Sequence, residues 1–246
     1  MWPHLALDGN MSAAGQSRLV AFWRVGDMHR IRKYLIGGLL AIGAVVALSA
    51  CNALDKVVEV AAGDGFTCAR HEDGTVTCWG ANTPWGQLGD GVYADSALPV
   101  RVQGLAGVTS LVAGNDHACA GLSDGTARCW GANEQGQLGD GTTITRPTPV
   151  PVSGLTGVTR LSAGAGHTCA RLGTGTVKCW GSNNWGQLGD GTTAGRLTPV
   201  AVSGLTGVTD ISAGPVHTCA RLGTGAARCW GSNDSPVCQG EVRHLV

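Results

Sequence analysis

Charge is scarce in this chain. Asp, Glu, Lys and Arg make up 14 % of 246 residues, against ~25 % in an average globular protein. That excludes a charged disordered tail, a coiled coil and a solvated helical bundle. Lys plus Arg equals Asp plus Glu, at 17 each. No positive excess is left to neutralise a phosphate backbone, so nucleic acid is not expected as a partner. Tyr and Phe number two each. No segment sustains a 3.6-residue apolar period, and glycine recurs every few positions, which rules out long helices. The apolar run Tyr34 to Leu48 covers 15 residues, short of the ~20 that a spanning helix needs. What is plentiful is glycine, cysteine and tryptophan, at 40, 10 and 8 residues. Ten cysteines are too many for a reduced cytosolic protein without a metal or redox reason.

The N-terminal part reads as an address. Met28-His29-Arg30-Ile31-Arg32-Lys33 precedes the apolar run, and Ser49-Ala50-Cys51 follows it. A basic start, a short apolar stretch and small residues before a cut make a secretory signal over 28–50. Leu48-Ser49-Ala50-Cys51 resembles a bacterial lipobox. That resemblance implies that Cys51 becomes the acylated first residue of the mature chain. Two or three acyl chains exceed what one chain achieves in holding a protein to a membrane. Asn52, where an inner-membrane signal of that kind has Asp, favours an outer-membrane lipoprotein, on the periplasmic face or at the cell surface. Residues 1–27 precede the signal, and translation is expected to start at Met28. Removal of residues 1–50 takes away five basic and two acidic residues, leaving the exported part mildly acidic.

Beyond a short tether at 51–56, one unit is written four times. Cys-Trp-Gly stands at 78–80, 129–131, 179–181 and 229–231, and Gly-Gln-Leu-Gly-Asp-Gly at 86–91, 136–141 and 186–191. The units run 57–107, 108–157, 158–207 and, in part, 208–233, with a divergent tail over 234–246. Short β-rich stretches such as Val108 to Val112, His117 to Leu122 and Thr126 to Trp130 are separated by turns. Pro147 to Val152 reads as an edge strand, where proline is tolerated. Several short strands per unit, repeated at this period, point to propeller blades.

Ala-Gly-x-x-His-Thr-Cys-Ala, then Gly-Thr-x-x-Cys-Trp-Gly, then Asn-x-x-Gly-Gln-Leu-Gly-Asp-Gly resembles the regulator of chromosome condensation repeat. The resemblance implies an all-β protein of the β-propeller type. That family usually closes seven blades. The units here make about three and a half four-stranded blades, so an open arc or incomplete propeller is expected. An open arc leaves a free blade edge, through which a homo-oligomer could form.

The cysteines recur ten apart, as Cys68/Cys78, Cys119/Cys129, Cys169/Cys179 and Cys219/Cys229. Between each pair lies a turn ending in glycine, the signature of a three-residue hairpin loop with a G1 bulge. With the loop at 123–125, residue 122 faces 126, and counting outward Cys119 faces Cys129. Alternation makes this a non-hydrogen-bonded pair with Cα atoms ~4.5 Å apart, within reach of a disulfide. Four cross-strand disulfides are therefore expected. Zinc is the competing use, but no Cys-x-x-Cys is present and each pair would lack two ligands. No metal or cofactor is expected. Cys238 has no partner in the repeat and is either a free thiol or an intermolecular bridge.

His117, His167 and His217 recur where the first unit has Phe66, which suits a packed residue better than a catalytic one. Asp90, Asp140 and Asp190 sit between glycines, as turn-capping residues do. Trp79, Trp130, Trp180 and Trp230 point away from the adjacent cysteine and suit packing between blades. Trp85, Trp185, Tyr93, Arg101 and Asp95 break the repeat in or near loops. Loops carry function, and the first four are the candidate binding residues. No catalytic set stands out. The expected function is an exported, lipid-anchored module that holds another protein or an envelope glycan polymer. The family resemblance supports this, because it includes an exchange factor docking on chromatin and a secreted inhibitor of a β-lactamase. The alternative is a propeller hydrolase or lyase acting on envelope polysaccharide.

Overall fold

The computed structural model describes residues 56–232. The signal, Cys51, all of the tether except Lys56, and the tail with Cys238 lie outside the described residues. Fifteen strands build four sheets. The first blade holds β1 (Val57–Ala62), β2 (Phe66–His71), β3 (Val76–Gly80) and β4 (Ser96–Arg101). The second holds β5 (Val108–Ala113), β6 (His117–Leu122), β7 (Ala127–Gly131) and β8 (Arg146–Pro151). The third holds β9 (Val158–Ala163), β10 (His167–Leu172), β11 (Val177–Gly181) and β12 (Arg196–Ala201). The fourth holds β13 (Val208–Ala213), β14 (His217–Leu222) and β15 (Ala227–Gly231). Each sheet is an antiparallel meander in chain order, so the first strands of successive blades lie side by side and the fourth lie outermost. The described blades do not close on one another, and the array is an open arc.

The hairpins form for the reason their turns suggest. Leu122 N–H donates to the Thr126 carbonyl at 2.9 Å, and Gly125 takes a φ of 78°, which only glycine adopts without strain. That register sets Cys119 opposite Cys129, with Cys68, Cys169 and Cys219 opposite their partners in the same way. All four disulfides are formed, with Cα atoms 4.0 to 4.1 Å apart. The prolines of β8 sit on an outer strand, where a missing N–H costs no ladder bond.

The core is divided among the seams between blades. At the first seam the forward side of blade one supplies Phe66, Cys68, Val76, Cys78, Leu88 and Val102. The rear side of blade two answers with Val108, Leu111, Ala118, Ala120 and Trp130. The next two seams repeat the arrangement around Trp180 and Trp230. Each indole is an apolar plate worth roughly 2–3 kcal/mol on burial, and its N–H needs a partner. Trp130, Trp180 and Trp230 donate to the carbonyls of Gln87, Gln137 and Gln187 in the preceding blade, each at 2.9 Å. The second glycine of each Gly-Gln-Leu-Gly-Asp-Gly makes room for that plate. A Cβ on Gly139 would stand 2.7 Å from Trp180 Nε1.

A second polar tie crosses two of the seams. His117 Nε2 lies 2.9 Å from Thr168 Oγ1, and His167 Nε2 lies 2.9 Å from Thr218 Oγ1. Each threonine hydroxyl commits its single proton to a glutamine carbonyl, Gln137 at 2.9 Å and Gln187 at 3.0 Å. The imidazole must therefore be the donor through Nε2–H, which leaves Nδ1 bare; it has no hydrogen-bond partner in either ring. Burial, and secondarily the neighbouring imidazole, pushes His117 down to about 3 and His167 down to about 4. Both are neutral packing residues, which explains why the first blade carries Phe66 in that place.

Candidate functional site

Strand direction assigns the loops to faces. The turns between first and second strands and the long loops between third and fourth strands leave the same end of each meander. The hairpins around Gly74, Gly125, Gly175 and Gly225 leave the opposite end. The long loops have no regular structure, yet their backbones are tied from within. In blade two Asn133, fully buried, accepts from Leu138 N at 3.0 Å through Oδ1. Its Nδ2 donates to the carbonyls of Thr142 and Ile144, both at 3.0 Å. Asn82 and Asn183 repeat this in their blades.

Asp140 closes the same loop. It accepts from Thr142 N at 2.9 Å and Thr142 Oγ1 at 2.7 Å, and pairs with Arg146 at 3.1 Å. Burial pushes its carboxyl up, but the hydrogen bonds from Thr142 and Asn133 and the Arg146 guanidinium outweigh that and hold it below the usual range. Asp190 sits in the same balance with Thr192 and Arg196. The loop of one blade also leans on the outer strand of the next: Gly91 N–H donates to the Pro147 carbonyl at 2.9 Å, and Gly141 N–H to that of Leu197 at 3.0 Å. The result is a tiled surface of pinned loops.

Three of the four candidate residues stand on this surface. Trp185 is 55 % exposed and Tyr93 45 % exposed, while Trp85 is half-buried. Trp85 and Trp185 hold matching positions in blades one and three, and Gln135 takes that place in blade two. The Tyr93 ring lies against Gly86, next to Trp85 in the chain. Arg101 is separated from them. It ends β4 opposite Thr77, at the other end of the blade, where its charge helps to lower Asp73. Asp95 is structural: its carboxylate accepts the N–H groups of Asn82 at 2.8 Å and Thr83 at 2.9 Å, and these bonds hold it below the usual range. It closes a loop one residue longer than its counterparts.

Sequence reasoning missed a recess on the same end. It measures about 390 Å³ and is lined by the first turns of all four blades, from Gly63, Gly114, Gly164 and Gly214. Most of its wall is backbone and alanine. Asp64 and Asn115 add polar side chains, and Asp64 N–H donates to the Asn115 carbonyl at 2.9 Å across the blades. Next to the recess, burial and then the charge of Asp64 push the Asp116 carboxyl up. The repeated Ala-Gly could have pointed to this recess, since small residues at a repeated turn permit close approach around a shared space. Among the described residues no group of three or more His, Cys, Asp or Glu is placed to hold a metal ion.

Repeated four-stranded blades, joined seam to seam and presenting pinned loops at one end, define a protein of the β-propeller class. Models of the regulator of chromosome condensation (RCC1) repeat match residues 73–120, 124–171 and 174–221, and, in a second form, 57–83, 108–137, 158–187 and 208–235. The chain belongs to the RCC1 repeat family. It is 40 % identical over 85 residues to the mouse regulator of chromosome condensation, covering 33 % of this chain and 20 % of that protein. It is 35 % identical over 78 residues to the ultraviolet-B receptor UVR8 of Arabidopsis thaliana, covering 31 % and 18 %. Among solved structures, human WBSCR16 superposes with a TM-score of 0.65 at 23 % identity, over 72 % of this chain and 47 % of that one. Prp20p from Saccharomyces cerevisiae, described with its binding to Gsp1p and histones, superposes with a TM-score of 0.62 at 23 % identity, over 72 % and 45 %. The chain thus spans under half the length of the propellers it matches.

Proposed function

We propose that this protein is an exported, lipid-anchored propeller array that holds another envelope protein or an envelope polymer on its loop face. The observation that carries the reading is Trp185, more than half exposed on a loop whose backbone is pinned from beneath by Asn183. A large aromatic held outward on a rigid support loses little entropy on contact, which suits it to anchor an interface. Tyr93 and Trp85 extend the apolar surface on the same end. The family supports recognition over catalysis, since its named relatives include a receptor and a protein described by what it binds.

Export is supported from two directions. Four disulfides suit an oxidising compartment, and Leu48-Ser49-Ala50-Cys51 is the cleavage signal expected of an outer-membrane lipoprotein. Affinity capture from envelope extract, with the immobilised protein and its Trp85→Ala and Trp185→Ala variants, tests the binding face. A partner retained by the parent and at least tenfold less by Trp185→Ala supports it. Equal retention by all three proteins removes the loop face from the account. Mass spectrometry of the natural protein tests the anchor, with a diacylated Cys51 at the N-terminus as the expected result.

A further inference from the structure

The third seam records what a complete junction in this array requires. From blade three, His167 donates to Thr218, Ser162 Oγ accepts from Ala213 N at 2.8 Å, and Arg171 Nε donates to the Val208 carbonyl at 2.6 Å. The disulfide Cys169–Cys179 lies fully buried beneath Trp230. On the receiving rear side of blade four stand Val208, Ile211, Ala213, Thr218, Ala220 and Trp230.

Both halves of this junction occur a second time, on the two ends of the arc. The forward side of blade four carries His217, Ser212 and Arg221, the same three connectors as blade three, around Cys219–Cys229. The rear side of blade one carries Val57, Val60, Ala62, Thr67, Ala69 and Trp79, identical to blade four's receiving set except for Val60 in place of Ile211. Neither side is covered by a described residue. Val57 and Val60 are 50 % and 60 % exposed, while Val208 and Ile211 are 1 % and 3 %. Cys219 and Cys229 are part-exposed, while the other six disulfide cysteines are sealed. A shallow hollow of about 180 Å³ beside Cys219, lined by Ser212, Ala220, Arg221 and Ala227, marks the uncovered forward side.

The match is selective. The first seam pairs Phe66 with Ala118, so a rear side lacking threonine follows a forward side lacking histidine. Blade one has kept Thr67, and blade four has kept His217. We infer that a second copy of this chain docks head to tail, the forward side of blade four of one copy meeting the rear side of blade one of the other, with His217 donating to Thr67 as His167 donates to Thr218. Asp210 and Glu59 also approach at this junction, each beside its cross-strand arginine, Arg221 and Arg70, so the local charge balances. A heterologous contact of this kind closes into a ring when the rotation allows. Two copies bring roughly eight blades, within the ~4–8 that propellers use. This junction is independent of what the loop face binds.

Sedimentation of the full chain in density-matched detergent provides the test. The parent protein sediments as two copies. Thr67→Arg, or Val60→Asp on the same side, halves the mass, and so does His217→Arg on the other side. Non-reducing mass spectrometry showing four intact disulfides in each variant establishes folding. Mixing Thr67→Arg with His217→Arg restores the doubled mass, because one junction between the two variants remains intact. A parent protein of single mass overturns the inference. So does a doubled mass that the variants retain, or one that their mixture fails to restore.

Discussion

His117 and Thr168 meet across the second seam at 2.9 Å, and their counterparts at the first seam, Phe66 and Ala118, are both apolar. The polar pair and the apolar pair are alternative solutions to one packing problem. A half-exchange leaves a buried donor without an acceptor, whereas a full exchange leaves nothing unmet.

Thr168→Ala alone is therefore expected to cost about 1–3 kcal/mol, because it orphans the His117 Nε2–H in a site closed to water. His117→Phe alone costs less, since Thr168 still donates to Gln137. The double variant recovers most of the loss. Equilibrium unfolding in guanidinium of the parent, both single variants and the double variant yields the coupling energy directly.

Acid should destabilise the protein well before its carboxylates titrate. Unfolded histidine takes up a proton near pH ~6.5, whereas folded His117 and His167 do so only at about 3 and about 4. Between these limits the unfolded state binds more protons, so stability falls as the pH drops from ~6.5 toward 4. Asp140 and Asp190, whose folded values are depressed, extend the fall below that. Their contribution is present above the unfolded carboxylate value and is lost as pH descends through the folded one. Denaturation midpoints measured from pH 7 to pH 4 should show this slope, and it should be shallower in His117→Phe/Thr168→Ala.

Reductant should open the bridges in order. Cys219–Cys229 is part-exposed on the forward side of blade four, while the other three are sealed under the next blade. Timed alkylation with mass spectrometry at low dithiothreitol is expected to label Cys219 and Cys229 first. Replacing Cys119 and Cys129 together by serine should cost about 2–3 kcal/mol at most, as a short closed loop implies.

Two glycines separate crowding from backbone conformation. Gly139 has a φ of +69° and faces the indole edge of Trp180, while Gly104 has a φ of +66° with nothing within 4 Å of its missing Cβ. Gly104→Ala is expected to cost ~1–2 kcal/mol for the left-handed conformation alone. Gly139→Ala adds an overpacking cost of ~1–3 kcal/mol. Thermal unfolding of the two variants measures the difference.

The blades were legible because their signals are local. Hairpin register follows from a glycine-ended turn and a count of residues, so the amino-acid order alone sets Cys119 opposite Cys129. The seams were not legible in the same way. Trp130 and Gln87 are 43 residues apart, as each indole is from its carbonyl, and nothing within one unit shows which neighbour it will meet. The candidate residues divided for a related reason. Trp85, Tyr93 and Arg101 are close in sequence, but β4 carries the chain the full length of the blade between Tyr93 and Arg101. Asp95 looked like a surface feature because its partners, Asn82 and Thr83, lie across a loop whose closure no local pattern announces.

Every bridge in the array looks the same way along the arc, and every indole looks back at it. The unit therefore has a polarity, like a plug with its socket on the reverse. Tandem duplication or loss of a whole unit in the gene leaves an intact joint at the point of recombination, so the length of such an array can drift without any contact having to be invented again.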